Sequence, residues 1–120
     1  MPGSTEKRRH ARFVCEGGVE VRDTSEGARG FWGTMADISL GGCYVQTFSP
    51  MNAGTGLNFL IKTHGMEIRG TAKVVAMHPG VGMGIAFTQL PDEDLKVLKK
   101  LIAQLEADDK HQTSGMVITP

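Results

Sequence analysis

From Phe13 to Leu90 apolar residues recur mostly at every second position, interrupted at short intervals by Gly, Pro and Asn. A period of two puts alternate side chains on opposite faces of a strand, and frequent turn residues between short runs predict a small antiparallel β-barrel or sandwich. Six strands are predicted. Val19 and Val21 alternate with Glu20 and Arg22 in the first, and Trp32 to Ile38 forms the second after the polar turn DTSEGARG. Cys43, Val45 and Thr47 alternate with Tyr44 and Gln46 in the third, which begins after the Gly41-Gly42 pair and stops before Pro50. Leu57-Asn58-Phe59-Leu60-Ile61 makes the fourth, and His64-Gly65 predicts a tight hairpin turn into the fifth, Met66 to Met77. In the sixth, Val81 to Thr88, Met83, Ile85 and Phe87 share one face while Gly82, Gly84 and Ala86 share the other. One side of that strand is bulky and the other permits close approach.

After Pro91 the period changes to that of a helix. Leu95, Leu98, Leu101, Ile102 and Leu105 fall on one stripe, and Asp92, Glu93 and Asp94 stand at the positive end of the helix dipole, so residues 92 to 107 are predicted to form one amphipathic helix covering the barrel. Residues 108 to 120 carry no periodicity and read as a disordered tail; residues 1 to 12 read as a flexible N-terminal arm. The organisation is therefore arm 1–12, barrel plus helix 13–107, and tail 108–120.

Composition narrows the function classes. A chain of 120 residues with 40% hydrophobic residues builds one compact core and leaves no room for a two-domain enzyme. The 16 glycines, about twice average usage, fit a turn-rich β fold. Thirteen basic residues balance thirteen acidic ones, so no whole-molecule field steers the protein to DNA or an anionic membrane. The local distribution is uneven: Lys7, Arg8, Arg9 and Arg12 stand against Glu6 alone in the arm, a net of +3. Any anion site is expected there. The first twelve residues lack an apolar segment, and the longest apolar and glycine stretch, Val81 to Phe87, is far short of a membrane span. No export by a standard signal and no membrane insertion are expected. Cys15 and Cys43 are unaccompanied by CxxC spacing and suit a reducing cytoplasm, and the histidines at 10, 64, 78 and 111 show no metal-ligand spacing. There is no GxSxG or HExxH, and Gly80-Val81-Gly82-Met83-Gly84 fails the GxGxxG fingerprint because Ile85 replaces the third glycine. No enzyme, metal or cofactor is indicated. His10 reads as a loop residue, and Trp32, Phe13 and Phe31 as core aromatics rather than a stacking platform.

Two elements carry chemistry. Arg8-xxx-Arg12 supplies paired guanidinium forks, with Arg9 beside them, and Asp37-x-Ser39-x-Gly41-Gly42 lies in a strand-to-strand connection. Singly, the first is a solvated basic cluster and the second an ordinary turn. Together, 25 residues apart within a six-strand pattern that ends in a helix, they make the chain resemble the PilZ domain, over residues 7 to about 106. Gly82-Met83-Gly84-Ile85-Ala86-Phe87 is similar to that family's last barrel strand. The resemblance implies a six-stranded antiparallel barrel with a C-terminal helix, a receptor without catalytic activity, and cyclic di-GMP as ligand, with an unidentified downstream protein as partner. It also implies that Lys7, the residue before Arg8, bears on whether one cyclic di-GMP or an intercalated pair is bound.

The residue chemistry suits the same ligand. A guanidinium fork matches both phosphate oxygens and the O6/N7 edge of guanine. Arg8 and Arg12 stand about 13 Å apart in an extended arm and roughly 6 Å apart in a tight turn, so bending brings them onto one ligand. Asp37 accepts from guanine N1–H and N2–H2, and Ser39 donates to a phosphate or base acceptor. Gly41, Gly42 and Gly84 let backbone approach the ligand, so replacing Gly42 is expected to block access. Two other readings remain at this point: a degenerate PilZ-like module that binds only protein, and a small nucleic-acid-binding barrel using the basic arm.

Overall fold

The computed structural model describes residues 10–25 and 30–118, with side chains described as far as Asp109. The strands are β1 Phe13–Asp23, β2 Gly30–Ile38, β3 Gly42–Gln46, β4 Gly56–Thr63, β5 Met66–His78 and β6 Gly82–Gln89, followed by helix α1 Asp92–Ile118. They close into an antiparallel barrel in the order β1-β2-β3-β6-β5-β4. Each predicted strand is present, most of them longer than the apolar alternation alone indicates. Closure supplies the reason: with every edge paired, polar and glycine positions at strand ends stay in the ladder.

The alternation decides the interior. Val19, Val21, Met35, Ile38, Val45, Leu57, Ile61, Ile68, Met83 and Ile85 are buried together, and most of their sequence neighbours are partly or fully exposed. Phe87 joins them from β6 by stacking on Phe59 with ring centroids 4.9 Å apart. The β4–β5 turn takes the residues predicted for it, His64 at φ 53° and Gly65 at φ 74°. Two successive positive φ values suit a two-residue hairpin, because the turn then twists with its strands.

Phe13 and Phe31 pack partly buried against the core, but Trp32 does not belong to it. Its side chain is half exposed, with the Lys62 ammonium 5.6 Å from the ring centroid. The alternation of β2 decides this: Met35 must point inward, and register with Glu20 leaves Trp32 on the polar face.

Helix α1 packs on β5 and β1, burying Leu98, Leu101 and Leu105. It runs to Ile118, beyond the end predicted at 107 and through most of the segment read as a disordered tail. The apolar stripe ends at Leu105, yet no proline follows Pro91 until Pro120, so nothing in the backbone forces an earlier stop. Among the described residues no helix is long and apolar enough to cross a membrane.

Candidate functional site

The site begins where the arm enters β1. Register pairs Phe13 with Ile38 and Val14 with Asp37, which carries the preceding Arg12 to the edge of β2. Arg12 Nη1 donates to Asp37 Oδ1 at 3.3 Å, across 25 residues of sequence. Both side chains are partly exposed, so the pair contributes at most about 1 kcal/mol to folding. The ladder slips between Val14 and Gly17 on β1 and between Met35 and Asp37 on the β2–β3 side. Such bulges bend a strand and re-aim its side chains, here around the Arg12–Asp37 corner.

The Ser39–Gly42 turn is held by its own groups. Ser39 N–H donates to the Gly42 carbonyl at 2.8 Å, and Gly41 N–H donates to Ser39 Oγ at 3.0 Å. The Ser39 hydroxyl in turn reaches the Gly42 carbonyl at 3.4 Å, and the residue is buried. In this structure Ser39 acts first as the turn's internal fastener. Gly42 is also required by the barrel, because a Cβ there would fall on the backbone carbonyl of Ile85 in β6. Its missing side chain is demanded by the close approach of β3 and β6, so substitution there acts on the barrel itself, in addition to the expected effect on ligand access. Gly41 is different, since a Cβ there would meet the edge of the His10 ring, 3.0 Å away at Cδ2, and beyond that only Ser39 Oγ at an ordinary 3.8 Å.

His10, read as a loop residue, thus lies against the turn, next to Arg12. Nothing in its spacing marks this, because the contact depends on how the arm crosses β2. Arg8 and Arg9, with Lys7, lie outside the described residues. Gly84 stands two strands from Asp37: Asp37 pairs with Tyr44, and Tyr44 pairs with Gly84.

Cys43 points inward between Gly42 and Tyr44. Burial pushes its thiol far above the ordinary range; the Asp37 carboxylate adds to this and Arg12 opposes it. Burial likewise raises Cys15, partly offset by its contact with Thr63. Both stay protonated at neutral pH and neither is a ready nucleophile. Among the described residues no group of three or more His, Cys, Asp or Glu is placed to hold a metal. An open groove of about 890 Å³ runs from Arg12 past Glu16 and His64 to Asp108 and Asp109. Three carboxylates, Glu16, Asp108 and Asp109, line it together with Arg12.

The PilZ domain family model matches residues 6–104, which takes in the second half of the arm, the turn and most of the helix face that packs on the barrel. The chain belongs to the PilZ domain family. None of the curated proteins matches it in sequence. Among solved structures, the PilZ domain of YcgR from Escherichia coli, described with c-di-GMP, is 13% identical, with 90% of this chain and 98% of that one covered and a TM-score of 0.70. The PilZ domain of CeSA from a cellulose synthesizing bacterium is 23% identical, with 80% and 98% covered and a TM-score of 0.63. The inhibitor of motility MotI/DgrA from Bacillus subtilis is 17% identical at a TM-score of 0.68; the match covers 85% of this chain and 52% of that longer one. At these identities the likeness is one of fold. The present PilZ domain places Arg12 and Asp37 of the two motif elements in direct contact, and its Gly41 and Gly42 on the turn beside them.

Proposed function

We propose that this PilZ domain is a cyclic di-GMP receptor that binds the ligand on the outer face of the barrel, between the arm and the Asp37 to Gly42 turn, and has no catalytic role of its own. The observation that carries the reading is the Arg12–Asp37 pair at 3.3 Å, which joins a cation for phosphate or guanine O6/N7 to an acceptor for the guanine N1–H and N2–H2 edge. The YcgR PilZ domain, similar in fold, is described with the same dinucleotide. In the proposed complex Arg8 and Arg9 join Arg12 from the arm, and the Gly41-Gly42 backbone faces the ligand. The arm closes as its positive charges meet the two phosphates, and its new position alters the surface offered to a downstream protein. Such a switch is driven only by contacts that differ between the open and closed states. A cytoplasmic location belongs to the same reading and is supported by the two free, buried thiols.

Isothermal titration with cyclic di-GMP tests it and reports stoichiometry, one molecule or an intercalated pair. Saturable binding is expected, weakened about 5-fold to 150-fold in Arg12→Ala, the equivalent of losing one bidentate contact. Absence of binding overturns the proposal in favour of a protein-only PilZ module. Salt-sensitive binding of single-stranded DNA with no response to the dinucleotide does so in favour of a nucleic-acid barrel.

A further inference from the structure

A single row of outward-facing positions crosses the barrel wall at the level of the site. Register links Val14 on β1 to Asp37 on β2, Asp37 to Tyr44 on β3, Tyr44 to Gly84 on β6, and Gly84 to Ala76 on β5. Beyond Asp37 the row holds one large side chain, Tyr44, followed by two positions with almost none, Gly84 and Ala76. The Tyr44 ring leans across the glycines of β6. A Cβ on Gly82 would stand 2.7 Å from Tyr44 Cε2, and one on Gly84 would stand 3.8 Å from Cδ1. The phenol end is fixed as well, with Tyr44 Oη 2.8 Å from His78 Nδ1 and the two ring centroids 5.8 Å apart. A tyrosine held down at both ends presents a flat, partly exposed face, one strand away from the carboxylate at Asp37.

On the proposed reading of the site, we infer that Tyr44 is the stacking platform for a guanine of cyclic di-GMP. Tyr44 is the cross-strand partner of Asp37, so a base that gives its donor edge to Asp37 and extends toward β3 has its ring over Tyr44. Purine faces stack on aromatic rings, and a ring already immobilised loses little conformational freedom on contact. Gly82 leaves the ring room to lie flat, and the barrel requires a glycine there too, since a Cβ would fall on the Val45 backbone carbonyl. At Gly84 a Cβ would meet only ordinary contacts at 3.7 Å and beyond, Tyr44 Cδ1 among them, so neither barrel packing nor the ring requires glycine there.

The experiment is cyclic di-GMP titration of the wild type, Tyr44→Ala and Tyr44→Phe, together with proton NMR of the wild type. The chain has one tyrosine, so its ring resonances are assigned by elimination. Expected are upfield shifts of the Tyr44 ring protons on saturation, a loss of about 5-fold to 150-fold in affinity for Tyr44→Ala, and near-native affinity for Tyr44→Phe, which keeps the ring. The NMR arm needs no variant and so stands even if Tyr44→Ala fails to fold. Wild-type binding with unmoved Tyr44 resonances and an unaffected Tyr44→Ala overturns the platform and leaves the receptor reading intact. Equal losses in Tyr44→Ala and Tyr44→Phe overturn it in favour of a hydroxyl contact. No binding by the wild type overturns both.

Discussion

Gly41 and Gly42 adjoin in the chain but stand in different surroundings, and the difference is invisible in the sequence. At Gly42 the β6 backbone stands where a Cβ would go, and backbone cannot step aside cheaply. Gly42→Ala is therefore expected to destabilise the domain by about 1 to 3 kcal/mol, read as a lower urea midpoint. Gly41→Ala, whose new methyl meets closely only the movable His10 ring, should stay within about 0.5 kcal/mol of wild type. Equal stability of the two variants would contradict this assignment. The residue types of the site were legible from chemistry alone: forks, an acceptor and glycines near a turn. Ser39 was legible only as a candidate donor, because the geometry that commits its hydroxyl to Gly42 arises from the fold of the turn. Tyr44 carries no signal of its own, since a tyrosine alternating with Cys43 and Val45 looks like any outward strand position.

Among the elements, α1 shows how far periodicity reaches. Leu98, Leu101 and Leu105 were readable as one face and are the buried ones. Its anchorage was not readable. The β5–β6 ladder begins at Thr71 paired with Gln89, which leaves Arg69 of β5 beyond the end of β6, and Asp94 Oδ1 accepts the Arg69 N–H at 2.7 Å instead. An acidic first turn suits the helix dipole in any protein; that one of its carboxylates also substitutes for a strand neighbour depends on where β6 stops. Leu101→Ala is expected to cost about 2 to 5 kcal/mol in urea unfolding through loss of buried volume. Asp94→Ala should cost about 1 kcal/mol, as its bond is exposed. A Leu101→Ala protein as stable as wild type would mean that the helix contributes nothing to the core.

At the scale of the whole molecule, zero net charge conceals a basic arm attached to a closed barrel. Lys7, Arg8, Arg9 and Arg12 put four like charges within six residues, and exposed charges are screened by salt. On the proposed function, saturating cyclic di-GMP should slow amide exchange over residues 7 to 12 while the barrel strands change little, and affinity should fall as ionic strength rises. Equal protection of residues 7 to 12 with and without ligand would show a preformed site and remove the moving part from the switch. A closed barrel makes the contrast sharp, because its strands have no free edge to gain or lose pairing.

By itself the sequence determined the period-two strands, the turn at His64-Gly65, the buried stripe of the helix and the two polar motif elements. Each of these is a local matter, set by side-chain alternation, backbone preference or residue chemistry within a few positions. Only the tertiary structure decided which of those pieces meet. Strand pairing put Arg12 on Asp37, set the Ile85 carbonyl against Gly42 and laid Tyr44 over Gly82 and Gly84 toward His78. These contacts join residues on different strands, and their partners follow from register and bulges, which alternation along a single strand does not specify.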